Sequence, residues 1–243
     1  MSDSNPAQTD HPEPSLVRLG IAHFFQVVVL FAILGGILFL SAGRLDWWDA
    51  WVFLVVYFAI ALVSGWLMLR NDPELLKERS QAITKKNVKA WDRVMVALNW
   101  LLSLALFAVI GLDAGRWGWS AAPFGVRFLG GLGIVLSFGL TLWAARVNTY
   151  MSAMVRIQDE RGHRAVTIGP YRYIRHPMYV GMCLYDIGLP WLLGSWWGLV
   201  VSGLMIAVVV VRTALEDRTL RRELPGYAEY ARQVRYRLLP GVW

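Results

Sequence analysis

The chain has 243 residues, the size of one domain or two small ones. Apolar residues make up 56% of it and charged residues only 17%, against roughly 25% charged in a soluble globular chain. That balance excludes a disordered chain, a collagen and a disulfide scaffold, and the lone cysteine, Cys183, excludes an intrachain disulfide and any multi-thiolate metal site. The net charge of +7 would suggest nucleic acid in a soluble protein. Here the basic residues gather loop by loop between apolar runs, which is the pattern of a membrane protein and not of a nucleic-acid binder.

Residues 1–19 are polar, carry Pro6, Pro12 and Pro14, and read as a disordered tail. No cleaved signal peptide is expected, because the apolar run that follows is too long for an h-region. Four runs of about 20 residues come next: Ile21–Ala42, Ala50–Leu69, Val94–Leu112 and Phe124–Ala145. Each has the ~20 residues needed to cross ~30 Å of hydrocarbon. Two shorter runs, Met178–Leu193 and Trp196–Val211, are joined by Gly194-Ser195. They read either as two short spans or as a helical hairpin that does not cross fully. The expected fold is therefore all-α, a polytopic membrane helical bundle of about six spans with the last two short.

Twenty of the twenty-four Lys and Arg residues fall in 70–93, 146–177 and 212–243. The intervening loops, 43–49 and 113–123, hold one each, Arg44 and Arg116. The positive-inside rule then puts both termini and the loops after the second and fourth spans in the cytoplasm. Trp47, Trp48, Trp51, Trp117, Trp119, Trp196 and Trp197 mark the opposite face as an interfacial aromatic belt. There is no internal repeat, and Asp186 is the only acidic residue within a span, so a transporter built on inverted repeats or on an intramembrane charge relay is poorly supported.

The loop at 146–177 is dense in groups that bind polar ligands: Gln158, His163, Tyr171, Tyr173, His176 and, just beyond it, Tyr179. Gly169-Pro170 is a turn signal. Pro177 suits the first position of the fifth span, which puts His176 at the N-cap. Free backbone N–H groups and the positive end of the helix dipole meet there, a setting that holds a carboxylate or phosphate. Gly181, one turn on, permits close approach of a ligand or another backbone. The bland alternatives are a plain helix cap, basic anchors at Arg172 and Arg175, and interfacial tyrosines. At the end of the sixth span Arg212 and Glu216 share one helix face. They are either a structural ion pair or, if the last two spans form a hairpin, partners of His176 and Tyr179 around one pocket at the membrane surface.

Taken together, Gly169-Pro170-Tyr171, Arg175-His176-Pro177-Met178-Tyr179-Val180-Gly181, Arg212, Glu216-Asp217, Leu224-Pro225-Gly226-Tyr227-Ala228-Glu229-Tyr230 and Leu239-Pro240 resemble the isoprenylcysteine carboxyl methyltransferase family. The integral-membrane phospholipid methyltransferases share the Arg-His-Pro-x-Tyr-x-Gly block. The resemblance covers about residues 146–243. It implies an S-adenosyl-L-methionine-dependent enzyme with no Rossmann domain, and the chain has no Gly-rich dinucleotide fingerprint. It implies cofactor contacts from Gln158, Gly162, His163, Val166, Thr167, Gly169, Tyr171, His176, Pro177, Tyr179, Gly181 and Glu216. Arg212 would face the methyl acceptor, with Tyr227 and Tyr230 beside it, and Glu216 would bind cofactor or orient Arg212. No metal site is implied. Where the family has Glu-Glu this chain has Glu216-Asp217, and the shorter Asp217 is the weaker candidate.

The expected organisation is a tail at 1–19, a four-span membrane region at 20–145 and a C-terminal catalytic region at 146–243 whose loop and terminal helix form the cofactor pocket. The expected partners are the lipid bilayer and a lipophilic or small acceptor, a carboxylate before a thiol or a lipid amine, in a multi-pass protein of a bacterial inner membrane. The competing reading is a non-enzymatic membrane subunit or a transporter with a related fold. Topology is directly testable: cysteines placed at Ala82 and Ala165 should react with an impermeant maleimide only from the cytoplasmic side. Labelling of either from outside would reverse the orientation.

Overall fold

The computed structural model describes residues 16–81, 85 and 87–243. The tail expected at 1–19 lies outside the described residues up to residue 15, as do Ala82 and Lys86 of the basic loop. The architecture is all-helical: α1 (Leu16–Ala42), α2 (Trp48–Asn71), α3 (Pro73–Gln81), α4 (Ala90–Ile110), α5 (Phe124–Val147), α6 (Pro177–Leu193), α7 (Gly198–Glu223) and α8 (Tyr227–Gln233). A π-helical turn, Gly111–Trp117, prolongs α4. Among the described residues, five helices are long and apolar enough to cross a membrane: α1, α2, α4 with its π-helical turn, α5 and α7. The protein is thus an integral membrane helical bundle.

The last two runs do form a hairpin, but they are unequal. At 17 residues α6 spans only about 26 Å, short of a full hydrocarbon core. By contrast α7 has 26 residues and continues about three turns beyond the apolar run, through Arg212 and Glu216 to Glu223. Hydropathy alone stops at the first charge. The helix continues because its polar turns are buried under the 148–175 loop, where Arg212, Thr213 and Asp217 are all at most 7% exposed. Gly194, at φ 83°, closes α6 and turns the chain into α7, donating its N–H to Pro190 O and Trp191 O.

Helix association in lipid relies on close packing of small residues. The tightest seam joins α5 to α6. A Cβ on Gly130 would meet Leu192 N, stand 2.6 Å from Gly188 O and 2.8 Å from Trp191 Cβ, and one on Gly188 would lie 2.7 Å from Gly130 O. At the opposite end of the bundle from the site described below, the buried Asp113 accepts hydrogen bonds from Ser120 Oγ and Ser195 Oγ, both at 2.6 Å, tying the π-helical turn to the α6–α7 turn. Six of the seven tryptophans of the aromatic belt are more than 40% exposed, and Trp47 is buried.

The seam makes a clean prediction. Gly130→Ala should lower the melting temperature in detergent by several degrees. Gly139→Ala, where no atom lies within 4 Å of the added methyl, should be neutral or stabilising by up to about 1 kcal/mol through helix propensity. Equal melting temperatures for the two variants would mean that α5 and α6 do not touch at Gly130.

Candidate active site

Pro177 occupies the first position of α6 and His176 its N-cap. Tyr179 and Val180 donate their N–H groups back to His176 O, and among the described residues the Met178 N–H has no backbone acceptor at the positive end of the helix. The polar turns of α7 pass beside this terminus. Tyr179 donates to Glu216 Oε2 at 2.5 Å, and the Arg212 guanidinium carbon lies 5.4 Å from the Tyr179 ring centroid. The 148–166 segment and α8 close the remaining sides. Together they enclose about 780 Å³ of space, solvent at the mouth included.

This pocket gathers His163, Val166, Tyr171, His176, Pro177, Tyr179, Arg212, Glu216, Tyr227 and Tyr230 from the residues that the sequence singles out. Gln158, Gly169 and Gly181 are not in its lining. Gln158 is fully buried and works inside the loop, donating to Tyr150 O at 2.6 Å and accepting from Arg161. A Cβ on Gly169 would press on Val147 and Trp143. The close approach at Gly181 is to α5, where a Cβ would lie 2.7 Å from Thr141 Oγ1.

The two neighbouring carboxylates of α7 have separate environments. Glu216 is half-buried and lines the pocket. Asp217 is 1% exposed and sits behind it. Asp217 accepts from Arg175 Nε at 2.8 Å and Nη2 at 3.2 Å, from Arg221 and Arg237, each at 3.0 Å, and from the Tyr227 hydroxyl at 3.0 Å. Arg175 adds bonds to Val234 O and Arg235 O, while the Arg175 and His176 N–H groups donate to Tyr236 O and Arg237 O. The segment after α8 is thereby strapped over the start of α6. Tyr227 and Tyr230 line the pocket with their rings, but their hydroxyls are committed, to Asp217 and to Tyr171 O.

Arg212 is held from a direction that the sequence does not reveal. Its Nε and Nη2 form a two-pronged bond to Asp92 of α4, at 2.7 and 3.0 Å, and Nη2 also donates to Ala153 O at 2.8 Å. Asp92 Oδ2 takes the Val155 N–H at 2.7 Å as well. Its ion-pair partner is therefore Asp92, 120 residues away, not its helix neighbour Glu216. The same loop is pinned a second time, by Arg156 against the buried Glu78 of α3 at 2.7 and 2.8 Å. Burial acts to raise the Glu78 carboxyl, but the hydrogen bonds and charge of Arg156 outweigh it and hold the group below the ordinary carboxylate range. Asp92, just before an apolar run, and Glu78, inside the basic 70–93 loop, had no further local signal.

Titration states are set mainly by burial. His163 is pushed down to about 4 by desolvation, and is neutral at pH 7. Its Nδ1 faces the Gln158 N–H at 3.4 Å, and its ring lies 4.7 Å from that of Tyr150. Burial pushes the Tyr171 phenol up to about 12, and its oxygen accepts from Asn148 at 2.8 Å. Among the described residues, no group of three or more His, Cys, Asp and Glu is gathered to hold a metal ion.

Residues 126–225, which hold α5, the loop, α6 and α7, match the family model of phospholipid methyltransferases. Among curated proteins, the chain is 32% identical over 154 residues to the cobalt-zinc-cadmium resistance protein CzcN of Cupriavidus metallidurans, covering 62% of each chain. It is 30% identical over 122 residues to protein-S-isoprenylcysteine O-methyltransferase B of Arabidopsis thaliana, covering 48% of this chain and 58% of that one. The matches thus span about three-fifths of the length of these relatives.

The division of labour between the two carboxylates is testable by stability alone. Asp217→Asn leaves three arginines facing a neutral amide and should cost about 3–5 kcal/mol, the scale for breaking a buried ion pair. Glu216→Gln keeps an acceptor for Tyr179 and should leave the detergent melting temperature within about 2 °C, a shift typical of a surface-scale change. A stable Asp217→Asn would deny Asp217 its structural role.

Proposed function

We propose that this protein is an integral-membrane S-adenosyl-L-methionine-dependent methyltransferase similar to the isoprenylcysteine carboxyl methyltransferases. It would act from the cytoplasmic face of a bacterial inner membrane on a lipophilic or small acceptor. The observation that carries this reading is the pocket that joins the α6 N-terminus to Glu216 and Arg212, most of it within the stretch that matches the phospholipid methyltransferases. The donor set suits the cofactor. S-adenosyl-L-methionine carries a carboxylate, an ammonium, ribose hydroxyls and an adenine ring. The Met178 N–H and the helix dipole suit the carboxylate, Glu216 suits the ammonium or hydroxyls, and the apolar and aromatic lining from Val166, Met154 and the His163 ring suits the adenine.

When bound, the cofactor supplies an activated methyl group. The protein's own part is to position and to exclude water. Tyr179 holds the Glu216 carboxylate in place, and Asp92 and Ala153 hold the Arg212 guanidinium in its plane. An ionised carboxylate acceptor needs no base, and a cation beside it offsets its charge; a thiol or lipid amine would need to lose a proton, for which Glu216 is the carboxylate in the pocket lining. The catalytic region would be 146–243, and α3 and α4 contribute Glu78 and Asp92 as its supports from the four-span region.

Purified protein in detergent should bind S-adenosylhomocysteine, and Glu216→Gln should weaken that binding about tenfold, the worth of one charge-assisted hydrogen bond. Arg212→Lys keeps the charge but loses the fork to Asp92. It should bind S-adenosylhomocysteine normally while transfer of labelled methyl to membrane lipids or small thiols falls by more than about tenfold. Absence of S-adenosylhomocysteine binding by the wild-type protein would favour the non-enzymatic reading.

A further inference from the structure

One charge inside a span has no part in the pocket. Arg127 stands one turn inside the apolar helix α5, between Phe124 and Phe128. A charge at such a position is costly and marks a site of use. Arg127 Nη2 donates to Asp49 Oδ2 at 2.5 Å, in the first turn of α2, and Nε donates to Leu192 O at 3.2 Å, near the end of α6. Leu192 lies about 24 Å along α6 from His176, so the pair is at the end of the bundle opposite the pocket.

Both groups keep spare hydrogen-bonding capacity. Among the described residues nothing accepts from Arg127 Nη1 and nothing donates to Asp49 Oδ1. The two side chains are 33% and 54% exposed, so both charges face out of the protein. Trp48 and Trp51, which flank Asp49, belong to the exposed aromatic belt that marks the level of the lipid heads.

Beneath the pair, α2 and α5 stand apart. They leave a groove of about 1360 Å³, open space at its mouth included. Val52, Val56 and Ile60 form one wall, and Phe128, Leu132 and Val135 the other. Gly131 widens the second wall: a Cβ there would have only Leu192 Cδ1 within 4 Å, and nothing from α2. From Asp49 to Ile60 the groove runs about 16 Å, the depth of one leaflet of a ~30 Å hydrocarbon core. The Tyr57 ring, 5.4 Å from that of Phe138 and 5.5 Å from that of Tyr185, closes its floor.

We infer that this groove binds one acyl chain of a zwitterionic phospholipid in the leaflet opposite the pocket, with the lipid's phosphate on Arg127 and its ammonium beside Asp49. Two charges of opposite sign above an apolar slot one leaflet deep match a head that carries both signs above a chain of that length. A purely anionic head would meet the Asp49 carboxylate, and an uncharged head would leave both groups unmet. The chain occupies space that α2 and α5 do not fill with each other, so the lipid acts as a wedge between them. No residue is shared between this groove and the pocket, and the inference does not rest on methyl transfer.

The test uses the full chain, stripped of lipid in maltoside detergent, and native mass spectrometry with three probes of equal chains: dioleoylphosphatidylcholine, dioleoylphosphatidylglycerol and dioleoylglycerol. The nitrogen of the first is already fully methylated, so it cannot be a methyl acceptor, and its binding is read apart from the pocket's chemistry. Wild-type protein should bind phosphatidylcholine about tenfold more tightly than dioleoylglycerol, the scale of one charge-assisted contact, with phosphatidylglycerol between them. Arg127→Gln should remove the preference for phosphatidylcholine over dioleoylglycerol. Asp49→Asn should remove the preference for phosphatidylcholine over phosphatidylglycerol. Val56→Trp fills the slot below the pair from a side chain that is 51% exposed, so no packing is disturbed. It should weaken all three probes about tenfold, and it decides the case if Arg127→Gln fails to fold. Equal binding of the three probes by the wild type, a preference retained in Arg127→Gln, or full binding in Val56→Trp would overturn the site and leave Arg127 a brace between α2 and α6.

Discussion

A buried carboxylate holds one end of this structure together. Asp217 is 1% exposed, and three guanidinium groups and a phenol converge on it. A single unpaired charge there would be prohibitive; a charge saturated with donors is tolerable and sets geometry. Because Arg175 lies two residues before α6 and Arg237 lies beyond α8, the one anion fixes the start of α6, the polar turns of α7 and the closing segment relative to one another. The position of the α6 N-terminus in the pocket follows from that.

The second constraint comes from the other half of the chain. Glu78 and Asp92, on α3 and α4, grip Arg156 and Arg212 and so hold the 148–166 segment over the pocket. The match to the family model begins only at residue 126, yet two supports of the segment that lines the pocket precede it. The residues that line the pocket all lie beyond residue 145, but their supports do not. In the same way Arg212 is more than a surface cation: both Asp92 and a loop carbonyl use its fork, so its planarity matters as well as its charge.

How much of this was legible in the sequence depends on range. Apolar runs located the membrane helices, because the hydrocarbon core imposes a length that composition must meet. Pro177 after His176 located a helix start, because proline has no N–H to lose there. The hairpin of α6 and α7 brought His176, Tyr179, Arg212 and Glu216 around one cavity, as the spacing of the motifs allows. The length of α7 was hidden, since its last turns are polar and are buried by a loop rather than by lipid. Glu78, Asp92 and the hub role of Asp217 were hidden for a related reason: most of their partners lie 10 to 120 residues away, and an acidic residue next to a basic loop looks the same whether it is solvated or central. Gly181 shows the converse. Its close approach was legible, but the partner is Thr141 of α5 rather than a ligand.

The central claim is that one pocket, at the junction of the α6 N-terminus, α7 and the 148–166 segment, receives the cofactor. Hydrogen–deuterium exchange on the full chain with and without S-adenosylhomocysteine tests it most directly, because it reads the location of binding independently of turnover. The account predicts slowed exchange confined to residues 148–166, 175–180 and 212–227, with α1, α2 and the outer turns unchanged. Protection centred elsewhere, or none at saturating ligand, would contradict it.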